Sequence, residues 1–471
     1  MRIEKNISYL LSTSFMQFVP FVFLLFVIRI LNKDTYGSYV LALSFAAIIS
    51  SFFSLSVQLV FEKEFFAIEE KTKEFPLLIS FSLIFIISNI LGVFFTGSLS
   101  DKVYQMIFNE SLPENIILLA YLTTVIANLK ALIFLYIRNI QKHESYLFFT
   151  ITDVLVCYVS MSVSVFFYRN IESLMISQVI ANLLILLCFL LKYRLPIKTL
   201  ELGLRMRQVL RSLPLLPRNI VSVLQGRLDS ILIGRYVGVA DTAVFAVGNK
   251  LGGTCFNYMN SLENAYVPQV LELMNKGPEE SSRVRDIFNP YLFLSLFLCM
   301  LLGVFANEAI RTFFTNDYYQ AIHLVKVISF YYALLFWGKT RQLLFSGKYS
   351  TISLITSIRA ILGVVISLYA IKFYGFWGAV WGMIIAQFLV QPFFIYYSQK
   401  QYFIPWQWLR IIYLYLLLLT GLIGAYILEE SGMNLFFALP LKLMICFIYL
   451  LAGKQIGFIK TLNLKKLSSN F

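Results

Sequence analysis

Apolar runs of about twenty residues recur along the chain, each closed by a short polar or basic stretch. A helix crossing the ~30 Å hydrocarbon core of a bilayer needs about 20 such residues. The pattern predicts fourteen spans, at about 8–28, 38–60, 76–97, 115–137, 146–167, 171–191, 213–234, 242–267, 288–306, 321–345, 351–371, 375–397, 410–428 and 435–452. Alternating strands of about ten residues, the mark of an outer-membrane barrel, do not occur. The predicted fold class is therefore an all-α polytopic membrane protein. A basic linker, 192–212, separates residues 1–191 from 213–397, giving two six-helix bundles around a central cavity. Residues 398–471 add two helices and a basic tail.

Two spans depart from the pattern. Residues 213–268 hold two long apolar segments joined by a turn at Gly238–Asp241, and both carry charges. Arg218, Ser222, Gln225 and Asp229 return to one helical face, and Lys250, Thr254, Asn257, Ser261 and Asn264 form a second stripe. Glu263 falls roughly opposite that second stripe at about 100° per residue. Charges at membrane depth are costly and normally face a protein interior or a water-filled path. The alternative is that these groups only join helices by hydrogen bonds.

Composition agrees with the spans. The chain is 59% hydrophobic with a mean hydropathy of +0.76 and 14% charged residues, against roughly 25% in soluble domains. The net charge of +14 follows from topology. With a cytoplasmic N-terminus, the inside segments hold 23 Arg and Lys and the outside segments 7, as the positive-inside rule requires. That places both termini in the cytoplasm and removes the need for a nucleic-acid partner. The first span has no small-residue cleavage site, so a removable signal peptide is not expected. The five cysteines all lie in apolar stretches, and the two histidines are far apart. Neither a disulfide framework nor a metal site is expected, and no cofactor is implied. No Walker A loop or catalytic arrangement is visible, and every outer loop is short. These features argue against an enzyme.

What remains is a surplus of cations at membrane depth: Lys130, Arg218, Arg227, Lys250, Lys326, Lys339, Arg341, Arg359 and Lys442. Away from the span edges, only Asp153, Asp229 and Glu263 oppose them. Arg and Lys bind phosphate oxygens strongly where water is scarce, so Arg218, Arg227, Lys250, Arg359 and Lys130 are the candidate cavity residues. Lys326 and Lys442 are expected instead to snorkel to an interface or to mark misplaced span edges. Asp153 shares a face with Cys157, Ser160 and Ser164; it and Asp229 are candidates for binding a coupling proton or sodium, or for structural ion pairs. Pro20, Pro217, Pro392 and Pro440 fall within spans as hinges or static bends. Tyr402, Phe403, Trp406 and Trp408 read as interfacial anchors. In the linker, Arg205, Arg207 and Arg211 interleave with apolar residues, which suits either an amphipathic helix on an anionic leaflet or an ordinary basic loop.

Several stretches carry a resemblance. Asp229, the following apolar run, the turn YVGVADTAVF and the polar-flecked helix after it resemble the middle of Wzx-type polysaccharide flippases, of the multidrug/oligosaccharidyl-lipid/polysaccharide exporter superfamily. LNKDTYGSYVLALSF resembles the start of that family and KFYGFWGAVWGMIIAQFL its twelfth span. The resemblance implies an inner-membrane flippase for undecaprenyl-pyrophosphate-linked oligosaccharide repeat units in O-antigen, lipopolysaccharide or capsule assembly. It further implies alternating access, with a polysaccharide polymerase and a chain-length regulator as partners. The alternatives are a multidrug/cation antiporter of the same superfamily, for which a net acidic cavity is expected, and a lipid II flippase.

Overall fold

The computed structural model describes residues 2–67, 73–108, 116–140, 142–193, 202–211, 213, 216–339, 342–433 and 435–458. The helices are α1 (Arg2–Ile30), α2 (Lys33–Phe53), α3 (Val57–Ala67), α4 (Glu74–Phe108), α5 (Ile116–Asn139), α6 (His143–Tyr168), α7 (Ile171–Tyr193), α8 (Leu202–Arg211), α9 (Leu216–Tyr236), α10 (Val239–Lys276), α11 (Ser281–Val304), α12 (Ala306–Phe313), α13 (Ala321–Leu334), α14 (Gln342–Phe345), α15 (Tyr349–Tyr374), α16 (Phe376–Gln401), α17 (Trp408–Glu430) and α18 (Leu435–Ile456). Among the described residues there is no strand. The protein is an all-α polytopic membrane protein. Among the described residues, eleven stretches are long and apolar enough to cross a bilayer: α2, α4 to α7, α11, the α13–α14 run and α15 to α18. The other three expected spans coincide with α1, α9 and α10. The wide exposure of large apolar side chains, such as Leu409, Phe436 and Phe373, suits surfaces that face lipid.

Two expected spans are broken. The run expected at 38–60 stops at Phe53, and Leu55 and Ser56 take positive φ values of 47° and 54° before α3 begins. A backbone carbonyl freed at membrane depth needs a partner, and side-chain hydrogen bonds tie this break to the helices around it. Ser88 of α4 donates to the Phe53 carbonyl at 2.8 Å, and Asn219 of α9 donates to Ser54 Oγ at 3.0 Å. Gln58 donates to the Asn128 carbonyl of α5 at 3.0 Å. The run expected at 321–345 ends as α-helix at Leu334, continues as a 3-10 turn over Leu335–Lys339, and resumes as α14. Pro217 lies in the first turn of α9, where its missing N–H costs nothing. Pro20, Pro392 and Pro440 are interior, as is Pro290 of α11.

The chain forms two compact units, 1–243 and 244–471, with the boundary inside α10. In the first, α6 packs between α1 and α7, and α2 lies against α5 and α9. One end of this unit is an aromatic core in which Phe75, Tyr136, Phe149, Phe189 and Tyr193 meet ring to ring. In the second, α11 is the axis, packed by α13, α17 and α18. Its core includes Trp406, buried against Phe288 and Trp337. Of the four aromatics expected at an interface, Tyr402 and Trp406 are buried core residues, whereas Phe403 and Trp408 are exposed.

Candidate functional site

Helices α15 and α16 build the clearest site, and small residues set their register. A Cβ at Gly378 would lie 2.3 Å from the backbone of Ala370 and Ile371, and one at Gly382 would lie 2.2 Å from Ser367 Oγ. Further along, Gly363 faces Ala386 at 3.7 Å. This small-residue seam lets the two backbones approach closely. The same antiparallel register brings Arg359 opposite Gln387, and the guanidinium Nη1 donates to Gln387 Oε1 at 3.1 Å. Gln387 in turn hydrogen-bonds Gln391, one turn on. Pro392 follows directly and leaves the Phe388 carbonyl without its helical donor.

These side chains wall a cavity of about 330 Å³ within the second unit. Its other walls are Phe256 and Glu263 of α10, Leu335 and Gly338 of the 3-10 turn, and Thr356 and Phe394. The cavity thus sits where the α13–α14 run is interrupted, as binding sites of transporters often do. Glu263 is 6% exposed. Helical spacing separates it from the Lys250 stripe, and the structure gives that opposite face its own use. Gln387 and Gln391 were not marked by sequence reasoning. Their signal is two amides four residues apart inside an apolar run, AQFLVQPFF.

The first unit gathers a second polar set. Lys130 of α5 is ion-paired with Asp153 of α6, and both are buried. Cys157 lies one turn on from Asp153 on α6 and is buried. Tyr39 of α2 donates to Gln178 Oε1 of α7 at 3.3 Å. Arg227 lies on α9 of the same unit. Asp229, two residues further along α9, has interactions of its own, as does Lys250 on α10 in the second unit. The side chain of Arg218 lies outside the described residues, as do those of Ser222, Gln225, Ser261, Asn264 and Lys339 and the whole of Arg341.

Lys326 and Lys442 do not snorkel. Lys442 Nζ is 2.6 Å from Glu308 Oε1 and 2.7 Å from Glu429 Oε1, and its side chain is fully enclosed. Glu429 also pairs with the buried Lys326. Two cations and two carboxylates thus join α12, α13, α17 and α18. The sequence hides this network because Glu308 and Glu429 sit just past the expected span edges.

The family model described as "Polysaccharide biosynthesis protein" matches residues 26–323. No curated protein matches the chain. Among solved structures, the chain is similar to the lipid II flippase MurJ in an inward closed conformation, with 14% identity, a TM-score of 0.68, and coverage of 96% of this chain and 98% of that one. It is similar to an inward-facing multidrug resistance MATE family transporter of the MOP superfamily, with 11% identity, a TM-score of 0.59, and coverage of 84% and 94%. The MATE multidrug transporter DinF-BH gives 14% identity, a TM-score of 0.59, and coverage of 85% and 95%. The fold is that of these transporters.

Proposed function

The chain belongs to the polysaccharide biosynthesis protein family, and from that premise we propose that it flips undecaprenyl-pyrophosphate-linked oligosaccharide repeat units across the cytoplasmic membrane for O-antigen or capsule assembly. The single observation that carries the reading is the union of that family membership with a fold shared by a lipid II flippase and multidrug transporters. A family that builds polysaccharide needs lipid-linked intermediates carried across a bilayer, and this fold serves carriers.

In this reading both termini are cytoplasmic and residues 1–191 and 213–397 act as paired bundles moving by alternating access. The linker 192–212 joins them, and residues 398–471 add the last two helices. Arg218, Arg227, Lys250, Arg359 and Lys130 receive the anionic and polar head, for which the cation surplus of the spans is the support. Asp229 and Asp153 couple transport to a proton or sodium. A polysaccharide polymerase and a chain-length regulator are the downstream partners.

Complementation tests this. The chromosomal copy is deleted, and wild type, Arg227→Ala, Lys250→Ala and Asp229→Asn are expressed at matched membrane levels. The expected result is loss of surface polysaccharide on deletion, with intact lipid-linked repeat units trapped inside, and no rescue by the three variants. Unchanged polysaccharide with sensitivity to cationic drugs would favour an antiporter, and lysis with trapped lipid II would favour a lipid II flippase. Full rescue by all three variants would leave the function standing and remove those residues from the site.

A further inference from the structure

We propose that the cavity beside Arg359 is a carbohydrate subsite, which holds a sugar of the lipid-linked head and not its pyrophosphate. The proposal rests on the flippase reading and adds a ligand chemistry to one of its cavities.

The lining is of mixed character. Arg359 brings a cation, and Glu263 brings a buried carboxylate to the same cavity. Glu263 has an interaction of its own, and Arg359 is the one cation among the described lining residues, too few for the two or more negative charges of a pyrophosphate taken out of water. A lipid tail would strand the guanidinium and two amides against hydrocarbon, which is also costly. A sugar suits both signs, because each hydroxyl can donate to a carboxylate and accept from a guanidinium or an amide.

The hydrogen-bond inventory points the same way. Arg359 spends one nitrogen on Gln387, and Gln387 bonds Gln391. Two donors on these cavity-lining residues, Arg359 Nε and Gln391 Nε2, are buried and have no partner among the described residues. Buried polar groups are nearly always satisfied, so a ligand with oxygen acceptors fits them. Aromatic faces complete the lining. Phe256 is held by Tyr332, with ring centroids 5.6 Å apart, and Phe394 lies on the α16 side. Such rings pack well on the apolar faces of sugar rings, whose C–H bonds point outward. At about 330 Å³ the cavity is at the small end of ligand sites, roughly 300–1,000 Å³. It therefore takes part of the head only.

The test uses the full-length protein in nanodiscs and two probes. One is the free oligosaccharide released by mild acid from the source cell's own lipid-linked repeat units, and the other is undecaprenyl pyrophosphate without sugar. Wild type, Gln391→Leu and Phe394→Leu are compared, with monodispersity and retained undecaprenyl-pyrophosphate binding as the controls for folding. The expected result is saccharide binding by wild type, weakened roughly tenfold or more by Gln391→Leu and also weakened by Phe394→Leu, with undecaprenyl-pyrophosphate binding unchanged. Loss of undecaprenyl-pyrophosphate binding with saccharide binding intact would overturn the subsite and assign the cavity to the pyrophosphate. Absence of saccharide binding by wild type at millimolar concentration would overturn it as well. The flippase reading fails separately, if the wild-type gene does not restore surface polysaccharide to the deletion strain.

Discussion

Replacing Lys442 by Met should strongly destabilise the second unit. Lys442 is fully enclosed, with its Nζ 2.6 and 2.9 Å from the two oxygens of Glu308 and 2.7 Å from Glu429. Glu429 is also the partner of Lys326. The four groups balance as two positive and two negative charges. Methionine fills most of the volume but leaves one carboxylate buried without a counter-charge. Removing one partner of a buried pair costs about 3–5 kcal/mol. At about 2–4 °C per kcal/mol for a unit of 150–250 residues, the thermal midpoint should fall by about 6–20 °C. The assay is the fraction of monodisperse protein after heating in a single detergent, read by size-exclusion chromatography. The double variant Lys442→Met, Glu308→Gln leaves only the balanced Lys326–Glu429 pair. It should recover more than half of the loss, since neutral replacement of a whole buried pair is often tolerated. A single variant within about 2 °C of wild type, or a double variant no better than the single, would refute the assignment of α17 and α18 as charge-locked to α12 and α13.

Three further outcomes are expected. Ser56→Gly should stabilise the protein by about 1 kcal/mol, because Ser56 has a φ of 54° and a buried hydroxyl without a partner; a lower thermal midpoint would show that the hydroxyl or Cβ is needed at the α2–α3 break. Gly382→Val should separate α15 from α16, since even a Cβ there meets Ser367 Oγ at 2.2 Å; a cost of about 1–3 kcal/mol or more is expected, with Gly382→Ala intermediate, and a Val variant that expresses and melts like wild type would contradict the seam. Lys130→Met should cost about 3–5 kcal/mol by stranding Asp153, and Lys130→Met with Asp153→Asn should be milder. Scoring surface polysaccharide alongside stability separates roles for this pair: a stable double variant that still transports assigns it to structure, and one that does not transport keeps it in coupling.

The membrane class and the order of helices were legible in the sequence because both rest on local physics. A run of about twenty apolar residues has few options other than a helix across a bilayer, and each expected span has a helix at its place. The resemblance read at LNKDTYGSYVLALSF and around Asp229 pointed to the family that residues 26–323 match. The breaks at Ser54–Ser56 and Leu335–Lys339 were not legible. An apolar pattern is indifferent to whether a backbone carbonyl such as that of Phe53 is bonded within its helix or by Ser88 on a neighbour.

Charge was the least legible property. Spacing marked Lys130, Arg227, Lys250 and Arg359 as cations at membrane depth but could not say what each would meet. Lys442 finds Glu308, 134 positions away, and Lys326 finds Glu429, 103 positions away. A lysine paired in this way and one snorkelling to an interface look identical in sequence. Arg359 meets Gln387 because Gly363, Gly378 and Gly382 fix how α15 slides along α16. The sequence by itself determined that this chain spans a membrane many times and carries cations into it. Only the tertiary structure decided which cations are neutralised by carboxylates and which line a cavity, because that depends on helix register, and register is set by contacts between residues far apart in the chain.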